Sequence, residues 1–264
     1  MTGKPIICLT GKVPTKLETA LGVISLDKDD LQAAKKLLFG GKEVSKESVV
    51  NRIMEIVSLV ERTGEKAVLL NCDSYIVSDL EKTLISKGIS VCYPYYQEQI
   101  CIVKENGKYE RNVRLVEKAI IKKNKKGISV IQEIKGKKRE CTFSCKADII
   151  AKQERKSADA KVLKISVGHI SEFDVCRNIC HPLIADQCVI REALLLRDAI
   201  QATTIPERAR SIADIVKDYK ADSVLLDLPI YIIRETEDEL SRVNKSVMYY
   251  QKKRTGLHEI VVKA

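Results

Sequence analysis

The residues best placed to do chemistry lie at the ends of short apolar runs. KPIICLTG (4–11) runs out at Thr10 and Gly11, and AVLLNCDS (67–74) runs out at Asn71, Asp73 and Ser74. A continuous apolar run reads as a strand covered on both faces, and open parallel sheets take ligands just beyond the carboxyl ends of their strands. Thr10, Gly11, Asn71, Asp73 and Ser74 are therefore the ligand-binding candidates. Asp73, and Asp227 at the end of SVLLD (223–227), are candidate acid/base groups or ribose contacts. Either would instead serve as a cap for the helix that follows. The chain carries neither GxxxxGK[ST] nor GxGxxG, so no cofactor is assigned.

A second set of residues speaks to anionic partners. Residues 104–156 hold 17 Lys and Arg against 7 Asp and Glu, while the rest of the chain holds 29 of each. The net charge of +10 thus falls within one segment. Charge gathered in this way is the electrostatic footprint expected of a surface that meets phosphate backbones. Lys122, Lys123, Lys125 and Lys126 at one turn, and Lys135, Lys137, Lys138 and Arg139 at another, are the candidate RNA or DNA contacts. Tyr95 and Tyr96, just upstream, are candidates for base stacking, a contact that contributes about 1–3 kcal/mol per base. Lysines also guard exposed strand edges against aggregation, which is the alternative reading of the same residues.

Metal and triad chemistry are less well served. GHISEFDVCRNICHP brings His169, Cys176, Cys180 and His181 together, but Cys-x3-Cys beside an adjacent His is not a usual zinc spacing. Cys176 and Cys180, four apart, read instead as the buried face of a helix, and Cys141 and Cys145 as packing residues of a strand. The chain has three His, and none is placed beside a Ser or Cys and a companion acid.

CLTGKVPTKL (8–17) resembles the opening of the SLOG/DprA-like nucleotide-binding family, in which a strand leads into TG-x-x-P-x-K-L. Thr10, Gly11, Pro14, Lys16 and Leu17 match, and Lys12-Val13 stand where that family usually has His-Arg. The resemblance covers ten residues and implies a phosphate-friendly turn.

The elements that must position these residues are repeated. Shifted by 156 residues, AVLLNCDSYIV (67–77) falls on SVLLDLPIYII (223–233), and 68–93 matches 224–249 at ten positions without a gap. Upstream, Arg52, Ile56 and Val60 meet Arg208, Ile212 and Val216. Ser45 is a natural cap for a helix whose apolar positions are Val49, Val50, Ile53, Ile56, Val57 and Val60. The second copy opens on Thr204-Ile205-Pro206-Glu207, which reads as a capping box. Next come strands Ala67–Asn71 and Ser223–Asp227, then helices Ser78–Lys87 and Glu235–Val243. Gly88 and Asn244 follow, the two residue types most at ease in the left-handed conformation. Strands Ile89–Tyr93 and Lys245–Tyr249 close each unit. KPIICLTG and KVLKISVG (161–168) extend the pairing to the start, one residue out of register at the glycine.

The expected fold is α/β: two duplicated Rossmann-like lobes with mainly parallel sheet, and an inserted antiparallel β-module. The boundaries are 1–103, 104–156 and 157–264. Asn106-Gly107 is a two-residue hairpin signal, and 113–121, 128–134 and 140–150 read as strands of the insertion, either a small antiparallel module or a β-extension of the first lobe. Asp73 aligns with Pro229, which favours the first lobe as the holder of a site.

Nine Cys set mostly inside apolar runs suggest a reduced, cytoplasmic protein. No segment reaches the roughly 18 apolar residues of a membrane span. Three functions follow: a nucleic-acid-binding protein, regulatory or of the defence and counter-defence kind; a nucleotide-binding sensor or nucleotide-processing enzyme; and a homo-oligomeric assembly protein. Nothing in the sequence decides whether a reaction is catalysed.

Overall fold

The computed structural model describes residues 5–40, 44–105, 108–133, 161–166, 179–194, 202–252 and 258–263. The first lobe runs β1 (Ile6–Leu9), α1 (Lys16–Ala20), β2 (Val23–Ile24), α2 (Lys28–Phe39), α3 (Lys46–Thr63), β3 (Ala67–Leu70), α4 (Ser74–Ser86), β4 (Ser90–Glu105), β5 (Lys108–Asn124) and β6 (Gly127–Glu133). The second runs β7 (Val162–Ser166), β8 (Ile179–Cys180), α5 (Ile184–Leu194), α6 (Thr204–Lys217), β9 (Ser223–Asp227), a 3-10 turn (Ile230–Ile232), α7 (Ile233–Arg242), β10 (Ser246–Lys252) and β11 (His258–Lys263).

Two sheets result. The first has the order β2-β1-β3-β4-β5-β6 and the second β11-β10-β9-β7-β8. Pairs β1–β2, β1–β3 and β3–β4 are parallel, as are β7–β8, β7–β9 and β9–β10, while β5, β6 and β11 add on antiparallel. The fold is thus the α/β class expected, with two Rossmann-like lobes. The internal shift of 156 residues carries the first residues of β2, α2, β3 and β4 onto those of β8, α5, β9 and β10. It also carries Ile6 onto Val162, so the first strands align without the slip suggested by their glycines.

Local signals account for many boundaries. Ser45 caps α3 and shares a reciprocal box with Ser48. Gly88 has φ 79° and Asn244 φ 56°, the left-handed stops at the same point of both copies. Gly127 pairs with Asn124, so Lys125 and Lys126 form a two-residue turn, and Glu105 pairs with Lys108 across the Asn106-Gly107 position, itself outside the described residues. Other expectations shift. Val50 is half exposed. Thr204 is the first residue of α6 rather than its cap. α4 begins at Ser74, one turn before the expected start. The strands β5 and β6 of the basic segment extend the first sheet. Residues 140–150 lie outside the described residues.

One apolar cluster runs through both lobes, from Leu9, Val57 and Leu80 to Ile165, Val216 and Leu240. Cys8, Cys72 and Cys92 are buried free thiols, and burial pushes Cys92 up to about 12. Among the described residues, no helix is long and apolar enough to cross a membrane.

The lobes meet where α4 packs on α7. Lys82 pairs with Asp238 at 2.8 Å. These are equivalent positions of the two copies, and their meeting is the signature of an internal two-fold relation. At the centre, Glu81 is fully buried. Its Oε1 accepts from Arg234 at 2.7 Å, and its Oε2 accepts from the Tyr93 hydroxyl at 2.6 Å and from Lys123 at 3.2 Å. Lys123 also reaches Glu235 at 2.6 Å and stands 5.2 Å from the centre of the Tyr93 ring. Two cations and a hydroxyl around one carboxylate meet the requirement that a buried charge be both paired and hydrogen-bonded.

Removing one partner of such a cluster leaves an uncompensated buried charge. Lys123→Ala is expected to lower the unfolding free energy by about 3–5 kcal/mol. Lys125→Ala, two residues on in the exposed turn, is expected to change it by about 0.5 kcal/mol or less. Urea titration of the two variants measures both.

Candidate functional site

In the first lobe the carboxyl ends of β1 and β3 lie side by side, because Leu9 pairs with Leu70 and the Asn71 amide donates to the Leu9 carbonyl at 3.0 Å. The C-terminal end of α2 closes over this edge. The Asp73 amide donates to Leu38 at 3.0 Å, and Arg52 on α3 donates to the Leu37 carbonyl at 2.9 and 2.6 Å. Gly11 has φ +67°, and a Cβ there would lie 3.0 Å from the Phe39 ring. A left-handed turn packed on an aromatic ring needs glycine on both counts.

Asp73, Arg52 and Tyr75 form a closed triad here. Asp73 Oδ2 accepts from Arg52 Nη2 at 3.1 Å and from the Tyr75 hydroxyl at 3.0 Å, and Arg52 Nη1 donates to the Tyr75 hydroxyl. Burial, with the neighbouring Asp73 carboxylate, pushes Tyr75 up to about 12. Asp73 occupies the cap position of α4, yet its side chain makes no cap hydrogen bond. The capping role expected from sequence gives way to the ion pair.

The other candidates divide by burial. Thr10 is buried, with its hydroxyl 3.2 Å from Cys8 Sγ. Asn71 and Ser74 are partly exposed at the edge. Asp227 is exposed at the end of β9. The turn likened to a phosphate-binding opening leads into α1, whose first turn is filled by the chain's own acids. Thr15 and Glu18 form a capping box, and the Thr15 hydroxyl donates to Glu117 at 3.0 Å. Two carboxylates, Glu18 and Glu117, thus lie at the start of α1.

Of the proposed nucleic-acid contacts, Lys125 and Lys126 are exposed and Lys122 is partly so. Lys123 is not available: strand alternation turns it inward with Ala119 and Ile121, and Glu81 and Glu235 hold it there. Tyr95 is likewise buried, 5.7 Å from Tyr231 in an edge-to-face contact, and offers no face to a base. Tyr96 is exposed. Lys135, Lys137, Lys138 and Arg139 lie outside the described residues, as do Cys141, Cys145, His169 and Cys176. Cys180 sits on strand β8 rather than on a helix. No cluster of metal-ligating side chains occurs among the described residues.

The residues that sequence reasoning passed over are the partners. Arg52 and Tyr75 match Arg208 and Tyr231, and Glu81 and Tyr93 match Glu237 and Tyr249, whose hydroxyl also donates to its glutamate. Each is identical in both copies and polar in an otherwise apolar pattern. That combination is the signal that marks a buried hydrogen-bonded pair.

No family model matches the chain, and no curated protein matches it. Among solved structures, the Acinetobacter baumannii Cap4 SAVED/CARF-domain containing receptor with the cyclic trinucleotide 3'3'3'-cAAA aligns with 98% of this chain at 9% identity and a TM-score of 0.34. The Cap4 receptor with 2'3'3'-cAAA aligns with 98% at 11% identity and a TM-score of 0.35. The chain spans about half the length of those receptors, 51% and 50%.

The triad generates two expectations. Asp73→Ala leaves two donors without their acceptor and should cost about 1–3 kcal/mol of stability. Tyr75 has its pKa raised in the folded state, so its contribution is complete below pH 10 and is lost as the pH rises through about 12. Tyr75→Phe should therefore make the alkaline loss of stability shallower by roughly 2 kcal/mol over that range. Denaturant titrations at pH 8, 10 and 11.5 test this.

Proposed function

We propose that the chain is a nucleotide-binding sensor that takes its ligand at the carboxyl ends of the lobe strands and reads it through the seam between the lobes. One observation carries this reading. α4 starts at Ser74, directly beyond β3, and α7 follows the 3-10 turn just beyond β9; these same two helices pack together to join the lobes. Whatever engages the edge at Asn71 and Ser74, or at 227–230, bears on the helix starts. The opposite consequence of any small shift is felt at Glu81, Lys82, Arg234 and Asp238. Close-packed seams of this kind pass on small displacements rather than absorbing them.

The tied state of Asp73 favours binding over catalysis, because a carboxylate shared between a guanidinium and a phenol is held in position. The nucleic-acid reading retains one supporting observation: Lys125 and Lys126 project at an exposed turn within the segment that carries the excess charge.

Thermal unfolding of the full chain with AMP, ATP, cyclic dinucleotides and cyclic tri-adenylates tests the proposal. A ligand at 100 times its Kd should stabilise the protein by about 2.7 kcal/mol, and Asn71→Ala with Ser74→Ala should weaken the response. No response from any nucleotide, together with tight RNA or DNA binding that weakens steeply with salt, would overturn it in favour of a nucleic-acid binder. No response and a concentration-dependent mass would overturn it in favour of an assembly protein.

A further inference from the structure

The two lobes repeat the same buried pair but not its acceptor. In the first lobe, Asp73 supplies the carboxylate that both Arg52 and Tyr75 donate to. In the second, Arg208 and Tyr231 occupy the equivalent positions and Pro229 stands where the aspartate would be. The backbone at this one position is the same: Asp73 has φ −55° and ψ 132°, and Pro229 has φ −55° and ψ 134°. The proline brings no carboxylate.

The consequence is visible in the polar atoms left behind. Tyr231 is 1% exposed, and its buried hydroxyl has the Arg208 guanidinium as a neighbour but meets no acceptor in good hydrogen-bond geometry. Arg208 Nη1 is buried and also unpartnered. The two belong to one site, because α6 packs on the 3-10 turn that holds Tyr231. Burial pushes the Tyr231 phenol up, and the adjacent Arg208 guanidinium pulls it back. A buried donor without an acceptor costs about 1–3 kcal/mol, and here a guanidinium and a phenol share the deficit. Tyr95 packs edge-to-face on the Tyr231 ring at 5.7 Å. Arg208 and Pro229 are partly exposed.

We propose that the second lobe binds a small oxyanion, a phosphate or a carboxylate, between Arg208 and Tyr231 in the place that the Asp73 side chain fills in the first lobe. The first lobe is then the self-liganded copy and the second the open one, the reverse of what the presence of Asp73 suggests from sequence. A guanidinium and a phenol together match two oxygens of such a group by charge-assisted hydrogen bonds. The proposal stands on the second lobe's own geometry and does not depend on the nucleotide reading.

The experiment compares the full-length wild type with Pro229→Asp and Arg208→Met. Each is melted in inorganic phosphate, acetate and AMP, with chloride at matched ionic strength as reference. The wild type should gain a saturable rise in melting temperature from at least one of the three. Pro229→Asp should melt higher than the wild type in chloride and lose the response, because its own carboxylate fills the gap. Arg208→Met, folded by circular dichroism, should also lose it and keeps the test valid if the first variant fails to fold. Response to phosphate and AMP alone identifies a phosphate-bearing ligand; response to acetate alone identifies a carboxylate. No response in the wild type beyond chloride overturns the proposal, as does a response kept in both variants. AMP that stabilises both variants as well as the wild type leaves the nucleotide sensor standing and this site refuted. A phosphate response without any nucleotide response does the reverse.

Discussion

Glu81 is the residue on which the joined structure depends. A carboxylate with no exposed surface survives only if its charge is matched in place, since moving an unpaired ion out of water costs several kcal/mol even after relaxation. Its partners come from three parts of the chain: Tyr93 on β4 of its own lobe, Lys123 on the antiparallel strand β5, and Arg234 on α7 of the other lobe. The cluster cannot form unless the sheet has been extended by β5 and the second lobe has docked. A single buried charge thus makes the lobe, its β-extension and its duplicate mutually dependent. It also fixes their register more tightly than apolar contacts alone, which tolerate exchange of similar shapes.

Duplication gave the two lobes the same frame, and the departures from symmetry carry the interest. Lys82 and Asp238 meet at equivalent positions with opposite charge, an arrangement that an exact repeat could not adopt without repulsion. Asp73 against Pro229 is the second departure. It leaves the first lobe internally satisfied at its strand ends and the second short of an acceptor.

The basic segment illustrates how tertiary structure redistributes a charge pattern. Read as a string, KKNKK offers four equivalent lysines. In the sheet, alternation with period two and the demand of Glu81 withdraw Lys123 into the core, and the two-residue turn presents Lys125 and Lys126 outward. Tyr95 follows the same logic, taken inward to face Tyr231 while Tyr96 stays at the surface. Among the described residues, this turn therefore presents fewer lysines than the string implies.

The sequence by itself determined whatever local periodicity and chain stops can encode. The repeat at a spacing of 156, the Ser45 cap, the stops at Gly88 and Asn244, the continuous apolar strands and the tight hairpins are all readable because their causes lie within a few residues. Even the inward turn of Lys123 was latent in its alternation with Ala119 and Ile121. Only the tertiary structure decided which polar residues would pair. Glu81 meets Lys123 from 42 residues away and Arg234 from 153, and Lys123 meets Glu235 from 112. Asp73, three residues from a strand end, reads as a helix cap until Arg52 arrives from α3 to claim it. Local pattern fixes where a backbone goes. The partner of a buried charge is fixed by packing between distant segments, and the need to satisfy that charge leaves no mark on the residues beside it.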